Sequence, residues 1–77
     1  MGLHMRSAEK LMRTASRFAS EVFVRRDDVE VNAKSYLGLL MLAAETGASL
    51  TVRAEGPDED DAVAALIALV EDHFGEE

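Results

Sequence analysis

Apolar residues along this chain change their spacing several times, and each change marks an element. Ala8, Leu11, Met12, Ala15, Phe18 and Ala19 recur at three- and four-residue intervals, which predicts an amphipathic helix over residues 5–18. EVFVRR then alternates, with Val22 and Val24 on one face and Phe23 on the other, the pattern of a half-buried strand. Asp27-Asp28 supplies turn chemistry, and VEVNA opens a second strand with Val29 and Val31 expected to face inward; the two strands form a hairpin. Ser35 is placed to cap a short apolar helix, SYLGLLMLAA, which Thr46-Gly47 closes. SLTVRAE alternates again, Leu50, Val52 and Ala54 opposing Thr51, Arg53 and Glu55. After the break at Gly56-Pro57, DEDD opens a last helix. Its apolar stripe is Ala62, Leu66, Leu69 and Val70, widened by Val63, Ile67 and Phe74.

The order helix, strand, strand, helix, strand, helix places the chain in the α+β class. Strands that alternate in polarity belong to a sheet with one covered face and one wet face. The expected architecture is an open-faced sandwich, an antiparallel sheet covered on one side by three helices. Seventy-seven residues fit one domain, 1–77.

Composition narrows the function classes. The chain has no cysteine, so neither a disulfide framework nor a thiolate metal site is expected, and no cofactor is implied. A net charge of −7 argues against non-specific nucleic-acid binding, which needs an excess of Lys and Arg. No apolar run approaches the ~20 residues of a membrane span, and no secretory leader is evident, so a cytoplasmic protein without a membrane partner is expected. The total charge conceals an asymmetry. All eight basic residues lie at or before Arg53, against six acidic ones, whereas nine carboxylates and no Lys or Arg follow from Ala54 onward. Segregation of this kind points to one surface suited to an acidic partner and another that keeps the chain dispersed.

Three stretches then carry a family resemblance: GLHMRSAEKLMRTASRFAS, NAKS at 32–35 and GLLMLAA at 38–44. They resemble HPr, the histidine phosphocarrier of the bacterial sugar phosphotransferase system, in order over essentially the whole chain, and the His4-to-Ser35 spacing agrees. The tail GPDEDDAVAALIALVEDHFGEE is more similar to NPr, the nitrogen-linked paralogue. The family pattern around its phosphorylated histidine is Gly-Leu-His-Ala-Arg-Pro-Ala. Gly2, Leu3, His4, Arg6 and Ala8 match it, while Met5 stands for alanine and Ser7 for proline. The family fold also begins with an edge strand, in whose place this chain has only Met1 to Leu3. Without that strand, the edge at residues 50–54 would present unpaired backbone groups, so marginal stability or a homodimer through this edge is expected.

The resemblance implies that His4 accepts a phosphoryl group from enzyme I and passes it to an enzyme IIA-type protein. The chemistry suits the site. An imidazole is nucleophilic near neutral pH and leaves readily again. The N–H groups of a helix N-terminus favour a phosphate, and Arg6 adds a charge-assisted contact. Ser7 gives up the rigidity of proline but adds an N–H and a hydroxyl for phosphate. Arg6, Lys10, Arg13 and Arg17 share one stripe of the first helix, read as a steering surface for acidic partners or else a solvated face. Met5 alters the docking surface beside them. Tyr36, Leu37, Leu40 and Met41 supply its apolar half, although some of these must be core.

Ser35 is an N-cap, and in the HPr branch the matching serine is also the target of a dedicated kinase. His73 suits a helix C-terminus, and Asp58 to Asp61 suit a helix N-terminus, so neither group suggests a metal site. Met12 and Met41 read as packing residues. Two rivals to the relay remain: a regulatory binding module switched at Ser35 that no longer relays phosphate, and a small α+β interaction domain without phosphate chemistry.

Overall fold

Alternation in EVFVRR puts Val22 and Val24 on one side of a strand, and both are fully buried there. The computed structural model describes residues 5–43 and 50–72. Its elements are α1 (Met5–Ala15), β1 (Glu21–Arg26), β2 (Val29–Asn32), α2 (Tyr36–Ala43), β3 (Thr51–Glu55) and α3 (Glu59–Glu71). Among the described residues the sheet has three strands in the order β2-β1-β3, antiparallel throughout. The three helices pack over one face. Ala8, Leu11 and Ala15 from α1, Leu39 and Leu42 from α2, and Ala62 and Leu66 from α3 meet Val22 and Val24 in a single core. The α+β open-faced sandwich read from the sequence is the fold.

Several boundaries differ from the sequence reading. Helix α1 stops at Ala15 rather than 18, because its backbone bonding tightens. Ser16 N–H still reaches Met12 O at 2.9 Å, but Arg17 and Phe18 donate only three residues back, to Thr14 O and Ala15 O at 3.2 Å. Thr14 and Ser16 are weak helix formers, and Lys34 Nζ donates to Phe18 O at 2.8 Å, which fixes the exit of the chain. Arg17 therefore lies in the turn beyond α1, not on its helical stripe.

Val29 is 44% exposed although it was expected to face inward. It pairs with Arg26 at the turn end of the hairpin and lies on β2, an edge strand of the sheet. Val31, opposite Val24, does pack against the core. Arg26 shares the helix-facing side and is buried, a charged residue among core positions that the alternation did not flag. Asp27 carries the turn with φ 54°, a left-handed conformation that Asp tolerates better than most residues. The helix closure expected at Thr46-Gly47, and Phe74 of the last stripe, lie outside the described residues.

Candidate functional site

Four residues of sequence, Asn32 to Ser35, set the relation between the sheet and the helices above it. Ala33 is buried and donates its N–H to Val22 O at 2.8 Å. Asn32 Oδ1 accepts the N–H of Lys34 at 2.8 Å, and Asn32 O accepts that of Ser35 at 2.9 Å, so the side chain and backbone of one residue turn the chain. Lys34 Nζ ties this turn to the end of α1 through Phe18 O. Ser35 Oγ then accepts the N–H of Gly38 at 3.0 Å, satisfying a donor in the first turn of α2 that has no partner within the helix. Gly38 is small for a reason, since a Cβ there would come within 3.2 Å of Val31 Cβ and 3.3 Å of Ser35 Oγ.

That turn sets α2 against α1 and decides which of its apolar side chains face out. Leu39 and Leu42 are fully buried. Tyr36 and Leu40 are half-buried against the core, whereas Leu37 and Met41 are 72% and 71% exposed. Leu37 and Met41 are four residues apart and share one face. The expectation that some of the four are core holds for Tyr36 and Leu40. Met41, read as a packing residue, is instead at the surface because α2 has more apolar positions than the core can take.

Helix α1 carries the charge of the same region. Arg6 and Arg13 are exposed and Lys10 is half-buried. Arg13 pairs with Glu9 one turn earlier at 2.9 Å, an exposed pair worth little to stability. The first turn of α1 holds no acidic residue, so nothing acidic in that turn offsets the positive end of the helix. Ser7 is 1% exposed. Its side chain is packed into the protein, so the hydroxyl is not presented to a phosphate at the surface, contrary to the sequence reading. His4 lies outside the described residues, as does the side chain of Met5.

The family model described as "PTS HPr component phosphorylation site" matches residues 1–72. The chain belongs to the HPr family. It is 45% identical to the phosphocarrier protein HPr of Cupriavidus necator over 76 residues, covering 99% of this chain and 85% of that protein. It is 46% identical to the HPr-like protein Crh of Halalkalibacterium halodurans over 70 residues, covering 91% of this chain and 83% of that one. Among solved structures, an HPr from Thermoanaerobacter tengcongensis superposes with a TM-score of 0.90 at 44% identity, covering all of this chain and 86% of that one. As an HPr-family member, the chain is a phosphocarrier-type protein of the phosphotransferase system.

Within this HPr fold, sequence reasoning missed a second junction. Asp58 was grouped with Glu59, Asp60 and Asp61 as helix-end charge. The latter three do occupy the first turn of α3, but Asp58 makes no side-chain cap to its own helix. Its carboxylate accepts Ala19 N–H at 3.0 Å, Ser20 N–H at 2.9 Å and Ser20 Oγ–H at 2.5 Å, while Asp58 N–H donates to Ser20 Oγ at 3.1 Å. The Ser20 hydroxyl and the two backbone donors hold the carboxyl down at about 2. The only hint in sequence is Gly56 just before it. That residue has φ +148°, and a Cβ there would meet Ser20 Cα at 2.6 Å, so the β3–α3 turn passes hard against the start of β1.

The open face of the sheet carries a polar cluster. Arg53 lies over the Phe23 ring at 4.3 Å from its centroid and donates to Glu30 through Nε and Nη2 at 3.2 and 2.8 Å. It also pairs with Glu55. The hydrogen bond from Arg53 holds the Glu30 carboxyl below its usual value.

Proposed function

We propose that the chain relays a phosphoryl group in the cytoplasm, from enzyme I to His4 and on to an enzyme IIA-type acceptor. An imidazole nitrogen of His4 would form a bond to phosphorus as the donor's bond to phosphorus breaks. The exchange reverses when the acceptor attacks. Arg6, in the first turn of α1, neutralises charge on the transferred group, a step that depends on positioning and charge more than on covalent machinery. Lys10, Arg13 and Arg17 steer acidic partners, and Met5, Tyr36, Leu37, Leu40 and Met41 supply the docking surface. A second copy of the chain at the strand 50–54 edge is a further partner.

The observation that carries this reading is the pair Leu37 and Met41, exposed on a short helix packed beside basic α1. Apolar anchors beside a positively charged helix fit an interface that is steered by charge and held by burial. The test is intact mass after incubation with enzyme I and phosphoenolpyruvate. An acid-labile single-phosphate shift that is absent in His4→Ala supports the relay, and no shift in a folded sample rules it out.

A second reading is a regulatory module switched at Ser35 by a serine kinase. It draws on the likeness to Crh and on the place of Ser35 beside exposed Leu37. A phosphate on Oγ would sit at the N-terminus of α2, where the helix tolerates it, yet would put negative charge into the docking face.

A further inference from the structure

We propose that Glu9 is a specificity-determining residue of the docking face: it admits an acidic protein partner only where that partner sets a Lys or Arg against it. The proposal rests on the relay reading and adds to it the charge pattern that the partner must carry.

Helix α1 has a single acidic residue, Glu9, in a run that also holds Arg6, Lys10 and Arg13. At about 100° per residue, Arg6 and Arg13 fall within about 20° of each other, with Glu9 on one side of them and Lys10 on the other. Ala8, Leu11 and Ala15 turn the opposite way and are buried. Glu9 therefore stands within the basic stripe, not behind it. Its side chain is 47% exposed, and its carboxylate lies 2.9 Å from Arg13 Nη2, whose side chain is 74% exposed.

Neither stability nor steering accounts for a carboxylate at this place. An exposed pair of this kind contributes little to the fold. In the stripe it offsets one of the three cations of α1, which lowers the pull on any acidic surface. What Glu9 does change is which acidic surface fits. A partner carboxylate aimed at Arg13 has to displace Glu9 or stand beside it. If the partner is acidic throughout, Glu9 is left facing like charge, and docking is penalised. If the partner carries one Lys or Arg at that point, the repulsion becomes an attachment that fixes the register of docking. Uniformly acidic surfaces are real competitors, since this chain presents one itself: Glu59, Asp60 and Asp61 are exposed in the first turn of α3.

A residue that only tuned total charge would shift all acidic partners alike, whereas one that selects moves them apart. Affinity for poly-L-glutamate and kcat/KM for phosphoryl transfer from enzyme I, both measured on the full chain, tell these cases apart. Glu9→Gln keeps the side-chain shape and removes the charge. It should bind poly-L-glutamate about two- to five-fold more tightly, the effect of one exposed charge pair, while kcat/KM with enzyme I does not rise. Glu9→Asp keeps the charge and should stay with the parent in both measurements. A rise in kcat/KM for Glu9→Gln overturns the proposal. So does an unchanged affinity for poly-L-glutamate, or a Glu9→Asp variant that behaves as Glu9→Gln does. A parent chain that enzyme I does not phosphorylate removes the relay reading and this proposal with it. A phosphorylated parent whose variants show any of the three adverse patterns removes the proposal alone.

Discussion

Asp58 stands where a helix cap belongs, yet its carboxylate is spent on Ala19 and Ser20, thirty-nine and thirty-eight residues away in sequence. A contact at that separation closes a long loop, and it fastens the start of β1 to the start of α3. Its folded pKa, about 2, lies below the ordinary 3.8. The sign of the linkage follows: the contact stabilises the fold above pH 3.8, and that stabilisation is lost as pH falls toward 2. Asp58→Asn should lower the melting temperature at neutral pH, where the parent carboxylate is charged. The gap from the parent protein should narrow on acidification and close below about pH 2, which thermal melts of both proteins across the acid range would measure. At Gly56 the constraint is steric. Gly56→Ala forces a Cβ into Ser20 at a backbone angle that only glycine adopts readily, and a loss of about 1–3 kcal/mol is expected in urea unfolding.

At the scale of the element, α2 divides its apolar residues between stability and docking. Leu39 and Leu42 are sealed in the core, so truncating either to alanine should cost about 2–5 kcal/mol. Leu37→Ala and Met41→Ala should each change stability by less than about 0.5 kcal/mol while slowing phosphoryl transfer from enzyme I. Urea titration and transfer kinetics on the same four variants separate the two roles, and a large stability loss at Leu37 would refute the division. That division could not be read from YLGLLMLA, where nearly every position is apolar and no period singles out a face. It takes the placement of α1, β1 and β2 to show it. Strands were more legible, because alternation at Val22, Val24, Val52 and Ala54 already names their covered side. Val29 broke the rule at the turn end of the edge strand β2, where its partner Arg26 on β1 is the buried member of the pair. The end of α1 and the Asp58 junction were hidden for a common reason: Lys34 and Ser20, which settle them, are distant in sequence and ordinary in type. Of the site, the Ser35 cap was legible from residue type and position. The inward burial of Ser7 was not, since it depends on what packs over the first turn of α1.

At the scale of the whole molecule, charge separates the two kinds of association assigned to this chain. Every Lys and Arg precedes Ala54, and α3 begins with Glu59, Asp60 and Asp61 and ends at Glu71. Arg6, Lys10 and Arg13 lie along α1, so an acidic partner would be drawn to that helix although the net charge is −7. Two copies of that chain repel each other, and their pairing through β3 would bring two acidic α3 helices close. Salt must then act in opposite senses. Screening at moderate ionic strength, with a Debye length near 8–10 Å, should weaken encounter with an acidic phosphodonor by lowering the association rate. The same screening should strengthen self-association by relieving repulsion between like-charged copies. One salt series read by phosphotransfer rate and by sedimentation should therefore give slopes of opposite sign. Slopes of the same sign would mean that the basic stripe of α1 does not steer the partner, or that the copies do not meet with their acidic helices adjacent.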